Sequence, residues 1–173
     1  MHGVAALNYG GLGTMISQAI MGALDLRGIH SLNGFVPDPN DEVMKEYTKR
    51  AMCLRKSHSS VVSLSGTEGT LSDGMDSENL ADLVGTKMAF DAFEHLVSEQ
   101  RDQNLAGLNM SVRQLFFISN CAKWCSEDNS ASPPHSPPRA RCMVPLMNMW
   151  QFSSAFGCAY KTPMNPREKC TFW

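Results

Sequence analysis

The sequence predicts a mainly α-helical fold with little β-strand. The longest helical pattern runs from about Ser77 to Gln100, where Leu80, Leu83 and Val84 recur at the three- and four-residue spacing of one buried helix face. Shorter helical patterns cover 14–26, 41–53, 111–125 and 150–156. The stretches between them are rich in proline, glycine or serine, which favour loops. A chain of 173 residues is expected to form one domain.

The first predicted helix, 14–26, follows a glycine-rich segment at 8–13 that we interpret as flexible. Its expected apolar positions are Met15, Ile16, Ile20, Ala23 and Leu24. The second helix, 41–53, is polar and follows a proline-containing loop. From His58 to Gly74 the chain is rich in Ser, Gly and Thr without sustained periodicity, which predicts an exposed connection into the longest helix.

The longest helix has Met88 on its first apolar stripe, and Phe90, Phe93 and Val97 on a neighbouring one. After the helix at 111–125, the segment from 130 to 139 contains four prolines. These prolines exclude regular helix but can hold His135 in a fixed extended loop. A short helix at 150–156 completes the predicted elements.

Composition excludes several classes of function. Fifteen Lys and Arg residues against seventeen Asp and Glu give a net charge of -2, and no basic run is interleaved with aromatics, so nucleic acid is not an expected partner. No apolar stretch approaches the roughly 18 residues of a membrane span, and 1–9 does not resemble a signal peptide. Six cysteines are compatible with disulfides or with buried thiols.

Glu78 and Asp82 lie four residues apart at the start of the longest helix, so their carboxylates leave the same helix face. Two carboxylates in this arrangement can converge on one cation or one histidine. They can also simply complement the helix dipole at its N-terminus. The spacing alone leaves both interpretations open.

Six different short motifs are spread along almost the whole chain. They are L-N-Y-G-G-L-G at 7–13, E-N-L-A-D at 78–82, Q-L-F-F at 114–117, K-W-C at 123–125, H-S-P at 135–137 and N-P-R-E-K-C-T-F-W at 165–173. In this order the motifs resemble the neprilysin and endothelin-converting-enzyme family of zinc metallopeptidases. The resemblance implies a helical C-terminal peptidase domain over 1–173 that is incomplete at its N-terminus.

In that family a helix carries H-E-x-x-H, in which two histidines bind zinc and the glutamate activates the metal-bound water. The resemblance places Gln18 and Gly22 at the histidine positions and Ala19 at the glutamate position. Glu78 matches the remaining zinc ligand. We therefore expect no zinc here, or only weak binding.

The resemblance also assigns three further positions. Asp82 matches the acid that orients a zinc-binding histidine, whereas His135 and Arg141 match residues that stabilise the oxyanion and hold the substrate backbone. A replacement zinc site using His30 or His95 is not expected, because neither has ligand spacing.

The resemblance further implies a disulfide between Cys53 and Cys170. Cys125 and Cys158 match cysteines whose partners lie in a segment absent from this chain, so we expect both as free thiols or in an intermolecular bond. Two other cysteines, at 121 and 142, match no family cysteine that we can place.

These assignments predict a catalytically inactive relative of the family, which binds peptides or pairs with a full-length homologue. A working zinc endopeptidase acting on extracellular peptides is the alternative. A third hypothesis is that the chain is an incomplete gene product. By resemblance the compartment is extracellular or the outer face of the plasma membrane.

Overall fold

The computed structural model describes residues 4–25, 28, 38, 41–65, 73–125 and 135–172. The helices in these ranges are α1 (Ala5–Asn8), a π turn (Tyr9–Gly13), α2 (Thr14–Leu24), α3 (Glu42–Ser65), α4 (Asp73–Glu94), α5 (Ser98–Arg101), α6 (Val112–Ala122), α7 (Pro138–Met147) and α8 (Trp150–Phe156). The described ranges contain no β-strand beyond an isolated bridge between Thr162 and Asn165. This confirms the mainly helical prediction.

The glycine-rich segment before α2 is helical, so the prediction of a flexible segment is wrong. α1, the π turn and α2 form one continuous helical run. A Cβ added at Gly10 would lie 2.2 Å from the carbonyl oxygen of Phe116, so glycine is required where this run contacts α6. The hydroxyl of Thr14 donates to the carbonyl oxygens of Gly10 at 2.7 Å and Gly11 at 2.8 Å.

α2 packs on α4, but not through the predicted apolar positions. Those positions, Met15, Ile16, Ile20, Ala23 and Leu24, are exposed. The buried residues of the helix are Thr14 and Met21. The reason is close helix approach at Gly85, where an added Cβ would lie 2.7 Å from the backbone nitrogen of Gln18. Gln18 therefore lies on the contact face, opposite Gly85.

The helix predicted at 77–100 is α4, which ends at Glu94, and the short α5 follows it. Leu80, Leu83, Val84, Phe90 and Phe93 are buried as predicted. Met88 and Val97 are exposed, against the prediction, and Val97 lies beyond the end of α4. The remaining predicted helices at 111–125 and 150–156 correspond to α6 and α8.

α3 continues twelve residues beyond the predicted end at Cys53, so the exposed connection predicted from His58 is wrong as far as Ser65. Its inward face follows a three- and four-residue spacing through Tyr47, Ala51, Leu54, His58 and Val61. His58 interrupts the apolar pattern but is buried, with Nδ1 3.1 Å from Oδ1 of Asn79 on α4. Residues 66–72 of that predicted connection lie outside the described residues, and 73–74 already belong to α4.

α7 was not predicted, because the prolines before it indicated a loop. Pro137 is the N-cap and Pro138 is the first helical residue, a position where the missing backbone N–H costs nothing. The exclusion of helix is therefore wrong for 138 and 139, while 130–134 lie outside the described residues. His135 precedes the helix at a bend, so it lies in a loop as predicted, although not in extended chain.

Two disulfides cross-link these elements. Cys53 of α3 is bonded to Cys170 in the C-terminal segment, which is the pair that the resemblance implies. Cys121 of α6 is bonded to Cys142 of α7, a pairing that the sequence analysis did not make. Cys125 and Cys158 are free thiols, as expected.

An aromatic cluster forms the centre of the core. Phe90 of α4 stacks on Phe117 of α6 with ring centroids 5.1 Å apart, and Phe152 of α8 meets Phe117 edge to face at 5.5 Å. Gln114 extends this link, because its side-chain amide donates to the carbonyl oxygen of Ala155 at 2.9 Å. The cluster holds α4, α6 and α8 together and so fixes the helices that carry the candidate site.

Candidate functional site

Glu78 lies in the first half of α4 with both carboxylate oxygens occupied. Oε1 accepts from His135 Nδ1 at 2.8 Å and lies 3.0 Å from Nη1 of Arg141. Oε2 accepts from the backbone N–H of Ser136 at 2.7 Å. The chain just before α7 is therefore fixed on this carboxylate, which is largely buried.

Asp82, one turn further along α4, forms a two-point ion pair with Arg141. Nε of Arg141 donates to Oδ2 at 2.9 Å, and Nη2 donates to Oδ1 at 2.8 Å. Both side chains are mostly removed from solvent, with 2% of Asp82 and 17% of Arg141 exposed. Paired geometry of this kind is the strong form of a carboxylate–guanidinium contact.

Trp124, just after α6, covers the guanidinium of Arg141. The Cζ atom of Arg141 lies 3.9 Å from the centroid of the indole ring, within the range of a cation–π contact. The disulfide between Cys121 and Cys142 joins the two helices beside this contact. α6 and α7 are therefore connected both covalently and through the stacked pair.

Lys123 extends from the end of α6 towards α2. Its Nζ donates to Oγ1 of Thr14 at 2.6 Å and to Oε1 of Gln18 at 3.3 Å. The same nitrogen lies 5.1 Å from the ring centroid of Trp124. Lys123 thus binds the helix that carries Gln18, and its charge interacts with Asp82 and Arg141 without a hydrogen bond to either.

Burial governs the proton affinity of this group of side chains. Desolvation lowers the pKa of the Lys123 ammonium to about 8, although the nearby Asp82 opposes the shift. Burial also holds the pKa of the Asp82 carboxyl above its ordinary value, against the effect of Arg141. Burial lowers the pKa of the Arg141 guanidinium, but the carboxylates of Asp82 and Glu78 outweigh this effect, so the pKa is raised overall.

The structure brings four of the residues singled out in the sequence into direct contact: Glu78, Asp82, His135 and Arg141. Gln18 accepts a hydrogen bond from Lys123, and its side-chain Nε2 is buried without a hydrogen-bond partner. Ala19 and Gly22 are exposed on α2. His95 is exposed near the end of α4, with Nδ1 2.7 Å from the carbonyl oxygen of Asp91, and His30 lies outside the described residues.

A zinc centre takes protein ligands such as His, Cys, Asp or Glu in a tetrahedral arrangement. In the described ranges, no three such side chains are grouped so that they could hold a metal ion. The Glu78 carboxylate already contacts three nitrogen donors, and the side-chain oxygen of Gln18 accepts a hydrogen bond from the Lys123 ammonium. Gly22 supplies no side chain. The described residues therefore do not fit the zinc centre that the resemblance implies.

Comparison with known proteins decides the family. The model for Peptidase family M13 matches residues 2–172. This chain belongs to peptidase family M13. Among curated proteins, the M13 chain is 32% identical to Neprilysin-1 of Trittame loki. The match covers 97% of the M13 chain and 25% of that relative. It is 33% identical to the endothelin-converting enzyme homolog of Locusta migratoria, again over 97% of its length and 24% of the relative.

Endothelin-converting enzyme 1 of Cavia porcellus is a third relative, with 31% identity over 97% of the M13 chain and 23% of the longer protein. The chain thus spans about a quarter of the length of these relatives. Within the described residues, no helix is both long and apolar enough to cross a membrane.

Sequence reasoning missed the role of Lys123 and of the backbone N–H of Ser136. Lys123 was noted only as part of the K-W-C motif, because a single cation carries no spacing that indicates its partners. His58, which contacts Asn79 of the E-N-L-A-D motif, had a detectable signal in the continued three- and four-residue spacing of α3.

Proposed function

We propose that this M13 chain is a pseudopeptidase, which has lost peptide hydrolysis and acts by binding peptides or by pairing with a full-length homologue. The observation that carries the proposal is the ion-pair network around Glu78. The carboxylate that would bind a metal instead accepts from His135, Ser136 and Arg141.

Loss of the proton acceptor supports the same proposal. Hydrolysis through a metal-bound water needs a carboxylate that accepts the proton as the water attacks the peptide carbonyl. Ala19 stands at the position where the resemblance places that carboxylate, and its methyl group accepts no proton. Restoring a metal alone would therefore leave the reaction without its base.

The charge of Lys123 supports the proposal independently. Its ammonium binds Gln18, one of the positions where the resemblance expects a zinc-binding histidine. A divalent cation placed beside this ammonium would meet like-charge repulsion in a partly buried site, where water screens charges poorly. The ammonium of Lys123 thus disfavours a metal ion in addition to the missing ligands.

A binding role draws support from the surface of α2. Leu12, Met15, Ile16, Ile20 and Leu24 expose 47–65% of their area on this helical run. An exposed apolar face of this kind is typical of a surface that another polypeptide covers. The two disulfides favour an oxidising compartment, in agreement with an extracellular location.

Metal analysis combined with a quenched fluorogenic peptide assay tests the proposal. We expect less than stoichiometric zinc after equilibration with zinc buffer, and no cleavage that a chelator abolishes. The matched variant carries Gln18→His, Ala19→Glu, Gly22→His and Lys123→Met, and we expect it to regain zinc binding. Stoichiometric zinc with chelator-sensitive cleavage in the unmodified chain would establish the alternative, a working zinc endopeptidase.

A further inference from the structure

A groove lies between α3, α7 and the C-terminal segment, away from the Glu78 site. Its volume is ≈ 470 Å³, within the range of about 300–1,000 Å³ that is usual for ligand sites. We call it the methionine groove, because its apolar lining consists of Val61, Met143, Met147 and Met164 with two prolines. Val61 and Met147 are buried, whereas Met143 and Met164 are partly exposed.

The groove and the Glu78 site use different faces of α7. Met143 follows Arg141 by two residues, and residues two apart on an α-helix do not face each other. Met143 and Met147 are four apart and share a face. A ligand in the methionine groove would therefore not contact the side chain of Arg141 in its pairs with Glu78 and Asp82.

The rim of the methionine groove is cationic. Lys161 and Arg167 both line it, and its described lining includes no carboxylate. No ion pair with a carboxylate involves either side chain among the described residues, although Lys161 Nζ lies 5.7 Å from the ring centroid of Tyr160. Two exposed cations beside an apolar floor favour a ligand that combines negative charge with apolar groups.

Local backbone structure fixes one of these cations at the rim. Lys161 has φ of 69°, the only positive φ of a non-glycine residue in the described chain. Its backbone N–H donates to the carbonyl oxygen of Asn165 at 2.9 Å, and the Asn165 side chain donates to the carbonyl oxygen of Cys158 at 2.8 Å. Backbone strain of this kind is common at ligand-binding positions.

A second groove of ≈ 390 Å³ continues from the first. The two share Ser60, Met147, Pro166 and Arg167. The second is lined in addition by Lys56, Ser57, the Cys53 and Cys170 pair and one carboxylate, Glu168. Arg167 therefore stands between two adjoining depressions. This arrangement suits an extended ligand that crosses the guanidinium.

We propose that the methionine groove binds an extended acidic peptide, with an apolar side chain in the groove and flanking Asp or Glu side chains on Lys161 and Arg167. Methionine side chains adapt to differently shaped apolar residues, as at other peptide-binding surfaces. A fatty acid carries a single negative charge, whereas the rim offers two cations, so an acidic peptide matches the rim better. This proposal does not depend on whether the Glu78 site binds metal.

Fluorescence polarisation with a set of labelled nonapeptides tests the proposal. Each peptide has a central pair of Leu, Met or Phe residues flanked by glutamates, and matched sets carry lysines at the flanks or Gly-Ser at the centre. We expect binding only when apolar centre and acidic flanks are both present, and weaker binding as NaCl is raised. If no glutamate-flanked peptide binds, the proposal is wrong.

Variants locate the binding. Arg167→Gln and Lys161→Gly each remove one rim charge, and glycine also accepts the positive φ at 161, so both variants should fold. We expect each to weaken binding by about tenfold. Lys45→Gln removes an exposed charge elsewhere on α3 and should leave affinity unchanged. Equal affinity of the unmodified chain and the three variants would overturn the proposal. So would displacement of the peptide by sodium oleate, if the two rim substitutions weakened oleate binding to the same extent.

Discussion

At the scale of single residues, Lys123 has the clearest measurable consequence. Its pKa is lowered from 10.5 to about 8 in the folded chain, chiefly by burial. Between these two pH values the unfolded chain binds a proton that the folded chain has released, so stability contributed by this residue rises with pH. Below about pH 8 the folded chain instead carries a desolvated charge.

We therefore predict that Lys123→Met removes part of the rise in the free energy of unfolding between pH 8 and 10.5. Urea unfolding of both proteins with disulfides intact, at several pH values in this window, measures the difference. Lys45→Met, which removes an exposed charge from α3, controls for the change in net charge. Parallel pH profiles for the unmodified chain and Lys123→Met would contradict the assignment of the shift to Lys123.

At the scale of helices, the contact between α2 and α4 depends on Gly85. A Cβ at this position would lie 2.7 Å from the backbone nitrogen and 2.9 Å from the Cα of Gln18. Helix propensity by itself would make alanine more stable than glycine here by about 1 kcal/mol. Here the overlap is with backbone, which cannot rotate away, so we expect Gly85→Ala to destabilise the fold by roughly 1–3 kcal/mol.

Gly22 on α2 offers the matched control for that substitution. An added Cβ there meets no atom within 4 Å, so Gly22→Ala should stabilise the chain by about 0.5–1 kcal/mol through helix propensity alone. Chemical denaturation of the two variants gives the comparison. If Gly85→Ala is neutral or stabilising, α2 does not pack against α4 as closely as the structure indicates.

At the scale of the whole molecule, the sequence predicted which segments are helical better than it predicted which helix faces are buried. The apolar stripes of α4 predicted its buried residues apart from Met88 and Val97, because several other helices pack against that helix. The apolar stripe of α2 did not predict its buried face, since Ile16 and Ile20 are exposed. The buried Thr14 instead forms hydrogen bonds, and the backbone of α2 lies close to Gly85 of α4. Periodicity reports an apolar face but not what covers it.

Residues of the Glu78 site could be predicted from the sequence only where they belong to a recognisable motif. Glu78 and Asp82 were assigned from their motif, and the structure joins both to Arg141. Lys123 was not predicted, because the contact depends on how the end of α6 approaches α2. The pairing of Cys121 with Cys142 was not predicted for a related reason: cysteine connectivity is set by the fold and cannot be deduced from the count.

The two disulfides allow a final prediction about the stability of the whole chain. Cys53 and Cys170 are separated by 117 residues, and Cys121 and Cys142 by 21. If a disulfide acts mainly by restricting the unfolded chain, these loops correspond to about 5 and about 3 kcal/mol. The shorter loop lies inside the longer one, but it shortens the longer loop too little to change its logarithmic contribution much.

We therefore expect Cys53→Ala with Cys170→Ala to lower the free energy of unfolding more than Cys121→Ala with Cys142→Ala. Urea unfolding without reductant measures both losses, and Cys125→Ala, which removes a free exposed thiol, controls for cysteine substitution itself. The opposite order would show that native contacts outweigh chain entropy. In that case the shorter disulfide would owe its effect to holding α6 and α7 together beside the stacked pair of Trp124 and Arg141.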